Sequence, residues 1–224
     1  MIPLPPIDPA EFVAAVQPLL EGCNAQGLIA LIKSRWSDDQ VASLCGCENV
    51  DARKVAALAV GLVGRKGSLP QLTPLLKDKD PMVNQMAEHA MWSVWFRSGS
   101  PAANQELCRG SKALNRRDFE HALAHFTRAI EIDPGFAEAY NQRAIVHFLL
   151  EQWDEAIEDC RRTVERMPCH FGAWAGMGHC YAHEGNLADA VRCYERALGI
   201  NPHLEGIRQA VVELKGRLDE GGGI

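Results

Sequence analysis

Three groups of residues in this chain have types and spacings that could do chemistry. Cys45-Gly46-Cys47 places two thiols one residue apart. His179 and His183 lie one helical turn apart, as do His121 and His125, and the acidic pairs Asp154-Glu155 and Glu158-Asp159 share one short stretch. Thiols and imidazoles are metal ligands, but a closed zinc site needs about four of them. No second Cys/His pair stands at finger-like spacing from Cys45 and Cys47, so these thiols read as small hydrophobes. The His179/His183 pair would chelate only with a third ligand that the sequence does not name, and reads as polarity on a surface or groove. The acids alternate with Arg161 and Arg162 along one helix, which fits a solvated face of local ion pairs rather than a catalytic dyad. No Gly-rich phosphate loop, G-x-S-x-G turn or H-E-x-x-H helix occurs. The expectation is a chain without catalytic residues, metal or cofactor.

The bulk composition agrees with that expectation. Of 224 residues, 47% are hydrophobic and 23% charged, which suits a folded chain of one large or two small domains. The first hundred residues hold 9 Lys/Arg against 10 Asp/Glu and the remainder 14 against 19, so the net charge of −6 sits mostly in the second half. Nucleic acids and anionic membranes are bound through concentrated positive charge, and no basic stripe is present, so neither is an expected partner. The opening MIPLPPIDPAEF has no basic stretch followed by an apolar core, and no apolar run approaches the ~20 residues that span a bilayer. A cytoplasmic chain is expected, with its eight cysteines as free thiols.

What positions residues here is a period of 34. Pro134, Pro168 and Pro202 are so spaced, as are Ala122, Ala156 and Ala190, the set Phe126, Cys160 and Tyr194, and the set Ala129, Thr163 and Ala197. Each unit (103–136, 137–170, 171–204) reads as two amphipathic helices. The first helices fall near 104–116, 138–150 and 172–184, and the second near 119–132, 153–166 and 187–200. Each proline closes a unit because it cannot continue a helix. Gly110, Ala144 and Gly178 let the two helices of a hairpin approach closely, with Ala122, Ala156 and Ala190 doing so from the other side. Residues 204–218 continue as a helix with Leu204, Ile207, Val211, Leu214 and Leu218 on one stripe, the cap on which such an array ends. A disordered tail is expected over 219–224, which contains three consecutive glycines.

Trp174, Gly178, Tyr181, Ala190, Tyr194 and Pro202 give the order large apolar, small, aromatic, small, aromatic, proline; in this the chain resembles the tetratricopeptide repeat family. The second unit fits through Tyr140, Ala144, Ala156 and Pro168, with His147 and Cys160 at the later aromatic positions. The first fits through Gly110, Ala122, Phe126 and Pro134, with Glu106 in place of the opening aromatic. The resemblance implies a concave groove lined by the first helix of each hairpin. Carried across by register, its peptide-binding residues are Ser111, Asn115, Asn141, Gln142, Ile145, Phe148, Leu149, His179 and His183. Ile145, Phe148 and Leu149 form the expected floor, and Asn141 and Gln142 the hydrogen-bonding side chains. Members that grip the C-terminal carboxylates of chaperones use a Lys/Asn/Arg clamp, whose positions here are Leu107, Ser111, Gln142, Gly172 and Gly176. The implied function is therefore a non-catalytic scaffold or adaptor for a protein or peptide, without that clamp.

Upstream, a weaker period of 31 pairs Asn49 with Asp80, Arg53 with Asn84, Ala56 with Ala87 and Ala59 with Ala90, and residues 1–98 resemble short bacterial HEAT-like repeats. Helices are expected near 10–20, 25–35, 38–45, 51–63, 68–77 and 81–97, with Ser98-Gly99-Ser100-Pro101 as the boundary. The whole is expected to be an all-α, right-handed α/α superhelix, a solenoid of HEAT-like and tetratricopeptide hairpins. Two other readings stay open. One is a lyase-type or cofactor-handling subunit, which would need Cys23, Cys45, Cys47 and a histidine clustered in the first half. The other is self-association through an apolar patch at Trp92, Trp95 and Phe96.

Overall fold

The expected helices form, and with few exceptions at the expected places. A computed structural model describes residues 6–221, and all regular structure among them is helical. Two compact units meet between Arg97 and Ser98. Among the described residues no helix is long and apolar enough to cross a membrane.

The first unit contains α1 (Pro9–Glu21), α2 (Ala25–Arg35), α3 (Asp38–Ser43), α4 (Val50–Val63), α5 (Leu69–Leu72) and α6 (Pro81–Arg97). The expected helix over 68–77 is only the short α5 flanked by 3-10 turns. Pro70 and Pro74 supply no N–H and disrupt the four-residue ladder. Likewise α3 passes into a 3-10 turn at Leu44–Gly46. Positions 31 apart share roles: Asn49 and Asp80 both accept backbone N–H groups at the starts of α4 and α6, while Ala56, Ala59, Ala87 and Ala90 are all buried. Gly61 is needed where α4 crosses α6, because a Cβ there would lie 3.1 Å from Ala90. Arg53 grips Asp78 through two hydrogen bonds of 2.7 and 3.1 Å and also donates to the Cys47 and Glu48 carbonyls. Arg97 donates to the Gly61 and Gly64 carbonyls at the end of α4, satisfying acceptors that a helix terminus leaves open.

The second unit is three hairpins and a final helix. Helices α7 (Pro101–Asn115) and α8 (Phe119–Ile132) are followed by α9 (Ala137–Leu149) with α10 (Trp153–Arg166), α11 (Phe171–His183) with α12 (Leu187–Ile200), and α13 (Glu205–Gly221). Helix α7 begins earlier than expected because Ser100 caps it and Pro101 fits its first turn. Each hairpin turn holds one residue with positive φ, and these too are 34 apart: Arg117 (59°), Glu151 (58°) and Gly185 (78°). The small residue on each first helix is matched to the ring opposite. Cβ atoms at Gly110 and Gly178 would lie 2.5 Å from Phe126 and Tyr194; the middle hairpin pairs the larger Ala144 with the smaller Cys160, both buried in one cluster. Volume is conserved while residue types vary.

The carbonyl of each closing proline accepts hydrogen bonds from side chains further along the chain. Pro134 accepts from Tyr140 (3.4 Å) and Arg166 (2.7 Å), Pro168 from Trp174 (3.2 Å), and Pro202 from Arg208. Where these rings stand in the second and third units, the first has Glu106, which bonds His125 across its own hairpin at 2.7 Å. Helix α13 buries Val211 and Leu214 against Ala190, Val191 and Tyr194. It runs on through Gly221, so 219–221 are helical rather than a disordered tail; residues 222–224 lie outside the described residues.

Candidate functional site

Helices α9 and α11 carry the middle and end of the expected groove, and their two halves differ. In the N-terminal halves, Glu138 is fully buried (0% exposed), and Asn141 and Gln142 are buried with it. Glu138 Oε1 accepts from Asn141 Nδ2 (3.2 Å) and Gln142 Nε2 (2.7 Å). Its Oε2 lies 2.9 Å from Nε2 of His170, which is also 0% exposed. The other ring nitrogen of His170 accepts the Ala173 N–H at 3.0 Å, capping α11. Asn141 and Gln142, expected to meet a ligand, instead satisfy a buried carboxylate. The physical reason is that an unsatisfied carboxylate in this position would cost more than their loss from the surface.

In the C-terminal halves the face opens. Ile145 and Leu149 are 39% and 47% exposed, and Phe148 is half-buried beside them. Phe148 meets Trp153 edge-on at 5.1 Å and His183 at 5.5 Å. The His183 ring stacks on Trp153 with centroids 4.6 Å apart and planes within 10°. His179 lies 2.8 Å, through Nδ1, from the Tyr194 hydroxyl. Partial desolvation and, secondarily, the neighbouring His183 lower the pKa of His179, and burial pushes the Tyr194 phenol up to about 12. On α7, Asn115 is exposed and the Ser111 hydroxyl donates to the Leu107 carbonyl of its own helix; Leu107 is buried.

The structure gathers Ile145, Phe148, Leu149, His179 and His183 on one face and withdraws Asn141 and Gln142 from it. Sequence reasoning missed His170 and Trp153 as members of this region; Glu138 it placed on the groove lining by register, not sealed behind it. The available signal was a glutamate in the first turn of one helix and a histidine directly before another, 32 residues on.

The remaining candidates are dispersed. Cys45 is buried and its thiol pushed up to about 12, first by burial and then by Cys47; Cys47 contacts the Asn49 carbonyl, and Cys23 is an exposed turn residue. Among the described residues no group of three or more His, Cys, Asp or Glu is placed to hold a metal ion. His121 bonds Asp118 and His125 bonds Glu106. Glu158 pairs with Arg161 and Arg162 as expected. Asp159 does not: it is buried and held by Arg143 through bonds of 2.7 and 2.8 Å, with Arg143 also donating to Thr127 of the preceding hairpin. Trp95 is wholly buried and Trp92 half-buried, leaving Phe96 as the exposed member of the expected apolar patch.

Comparison with known proteins places these features in context. Residues 172–204 and 125–158 each match a family model described as a tetratricopeptide repeat. A tetratricopeptide repeat-containing protein of Rhizobium etli is 30% identical over 138 residues, covering 61% of this chain and 68% of that protein. Sperm-associated antigen 1 of Mus musculus is 30% identical over 113 residues, half of this chain but only 12% of the antigen. Among solved structures, the first tetratricopeptide domain of Spaghetti (RPAP3), bound to the HSP90 peptide SRMEEVD, superposes with a TM-score of 0.53 at 22% identity, covering 54% of this chain and 95% of that domain. That likeness is one of fold.

Proposed function

The chain belongs to the tetratricopeptide repeat family, and from that premise we propose that it is a non-catalytic adaptor that binds a protein or peptide on the groove face of α7, α9 and α11. The observation that carries this reading is the open half of that face. Ile145 and Leu149 stand exposed beside a contiguous cluster of Phe148, Trp153, His179 and His183, an arrangement in which apolar anchors of a ligand find both area and rigid walls. Rigid aromatic neighbours lower the ordering cost of binding. The adaptor reading carries with it a cytoplasmic location, where exposed thiols such as Cys23 and Cys108 stay reduced.

The groove works without a carboxylate clamp. At the clamp positions Leu107 is buried, the Ser111 hydroxyl and the Gln142 amide are engaged within the fold, and Gly172 and Gly176 carry no side chain. A terminal carboxylate seated there would lose water without gaining a cationic donor. The test is calorimetry with SRMEEVD, the peptide held by the Spaghetti domain. Negligible heat at ~100 μM peptide is expected, whereas a complex with a Kd near 1 μM would overturn the clamp-free reading. The adaptor itself is tested by affinity capture from the source cell with the native chain and a Phe148→Ala/Leu149→Ser variant. Partners lost only from the variant support the groove; an identical set moves the site elsewhere.

A further inference from the structure

The sealed half of the groove face has an electrostatic consequence. Each hydrogen-bond partner found for Glu138 is a donor: the two side-chain amides of Asn141 and Gln142, and His170. Because His170 Nδ1 accepts the Ala173 N–H, the proton of the neutral ring lies on Nε2 and points at Glu138. A carboxylic acid would need an acceptor for its own O–H, so this set fits a carboxylate beside a neutral imidazole. The amides and the imidazole stabilise the anion without cancelling its charge. Behind the groove wall, away from solvent, that charge is little screened.

The N-terminal dipole of α9, in whose first turn Glu138 sits, offsets the charge only in part. Helices α9 and α11 carry a single Lys or Arg between them, Arg143, and it is committed to Asp159. Residues 98–224 as a whole hold 14 Lys/Arg against 19 Asp/Glu, so the long-range field of this unit has the same sign as the buried carboxylate.

We infer that the groove takes a basic segment: an apolar stretch seated on Ile145, Phe148 and Leu149, with a Lys or Arg directed toward the Glu138 end. This rests on the groove reading above and specifies the charge of the partner. It is the opposite in charge of the net-acidic HSP90 peptide SRMEEVD bound to the Spaghetti domain. Charge complementarity of this kind sets specificity and association rate more than the strength of the apolar contact.

The experiment uses the full chain and two fluorescent, C-terminally amidated peptides with the same apolar residues, KKLLKALAKLLK and EELLEALAELLE, followed by anisotropy at low and high salt. The basic peptide is expected to bind roughly tenfold tighter at low salt, with the preference shrinking as salt rises. Glu138→Gln should reduce the preference several-fold at unchanged helicity. Should that variant lose helicity, Ala175→Lys, at a partly exposed α11 position 34 residues after Asn141 and outside the hydrogen-bonded set of Glu138, should weaken the basic peptide and strengthen the acidic one. Equal binding of the two peptides, or preference for the acidic one, overturns the inference; if that binding is lost in Phe148→Ala/Leu149→Ser, the groove reading stands. Binding of neither peptide, or basic-peptide binding that survives Phe148→Ala/Leu149→Ser, overturns both.

Discussion

The two halves of the proposed groove face lie on the same helices, at equivalent register positions, and have opposite fates. Toward the N-terminal ends of α9 and α11, Glu138, Asn141 and Gln142 close on one another and on His170. Toward the C-terminal ends, Ile145 and Leu149 remain exposed. Helical register tells which face a residue is on, but not whether water reaches it. Access depends on what the next hairpin supplies at the same height: a histidine that completes a polar network at one end, and imidazoles that flank rather than cover at the other.

The comparison can be broken most sharply by His170→Ala. It removes the cap of α11 and leaves Glu138 short of a donor in a buried site, and thermal or urea unfolding should show a loss of about 3 kcal/mol. Leu149→Ser at the open end should stay within about 0.5 kcal/mol. Equal costs would mean that the halves are not distinct.

A second, smaller contrast lies in the hairpin turns below the open half. Glu151 adopts a left-handed φ that glycine adopts without strain, as Gly185 does one period later. Glu151→Gly is expected to stabilise by up to about 1 kcal/mol and Gly185→Ala to destabilise by a similar amount, measured as shifts in denaturation midpoint at constant slope. Thiol labelling sharpens the picture next. Cys108, exposed on α7, should react quickly with an aromatic disulfide reagent, while Cys180, pushed up to about 12 mainly by burial, and Cys160, raised further by the same cause, should react only on unfolding.

The smallest expected effect concerns His179. Its lowered pKa means the unfolded chain binds this proton more readily than the folded one. A stability penalty therefore appears as pH falls through the ordinary histidine value of about 6.5 and stops growing below the folded midpoint. Proton NMR should place the His179 midpoint below that of free histidine; a midpoint above it would show that neither desolvation nor the neighbouring His183 governs this ring.

Much of the fold was legible because the array repeats one local solution. Four columns at a spacing of 34 place helices α8 to α12 to within a residue, since the small-against-ring contacts of Gly110 and Phe126, or Gly178 and Tyr194, recur at fixed offsets. The first unit was legible where alanines and N-caps recur 31 apart, and misread at Leu69–Lys77, where two prolines divide what hydropathy presents as one helix. In the candidate site the shared apolar face of Ile145, Phe148 and Leu149 was legible from register. The sealed network was not, because it joins Glu138 to a turn residue outside any helical period, and whether a polar side chain faces inward is decided by a partner 32 residues away. Asp159 was misassigned for the same reason: its partner Arg143 belongs to the other helix of the hairpin.

The capture of each closing proline carbonyl by a side chain from the following hairpin or the final helix has a mechanical meaning. Proline donates no backbone hydrogen bond, so each turn hands its acceptor forward, and directional tethers at the closing prolines join the other bonds between successive hairpins. A force applied along the second unit would load these tethers in series. The array should then yield in steps, each step releasing one hairpin.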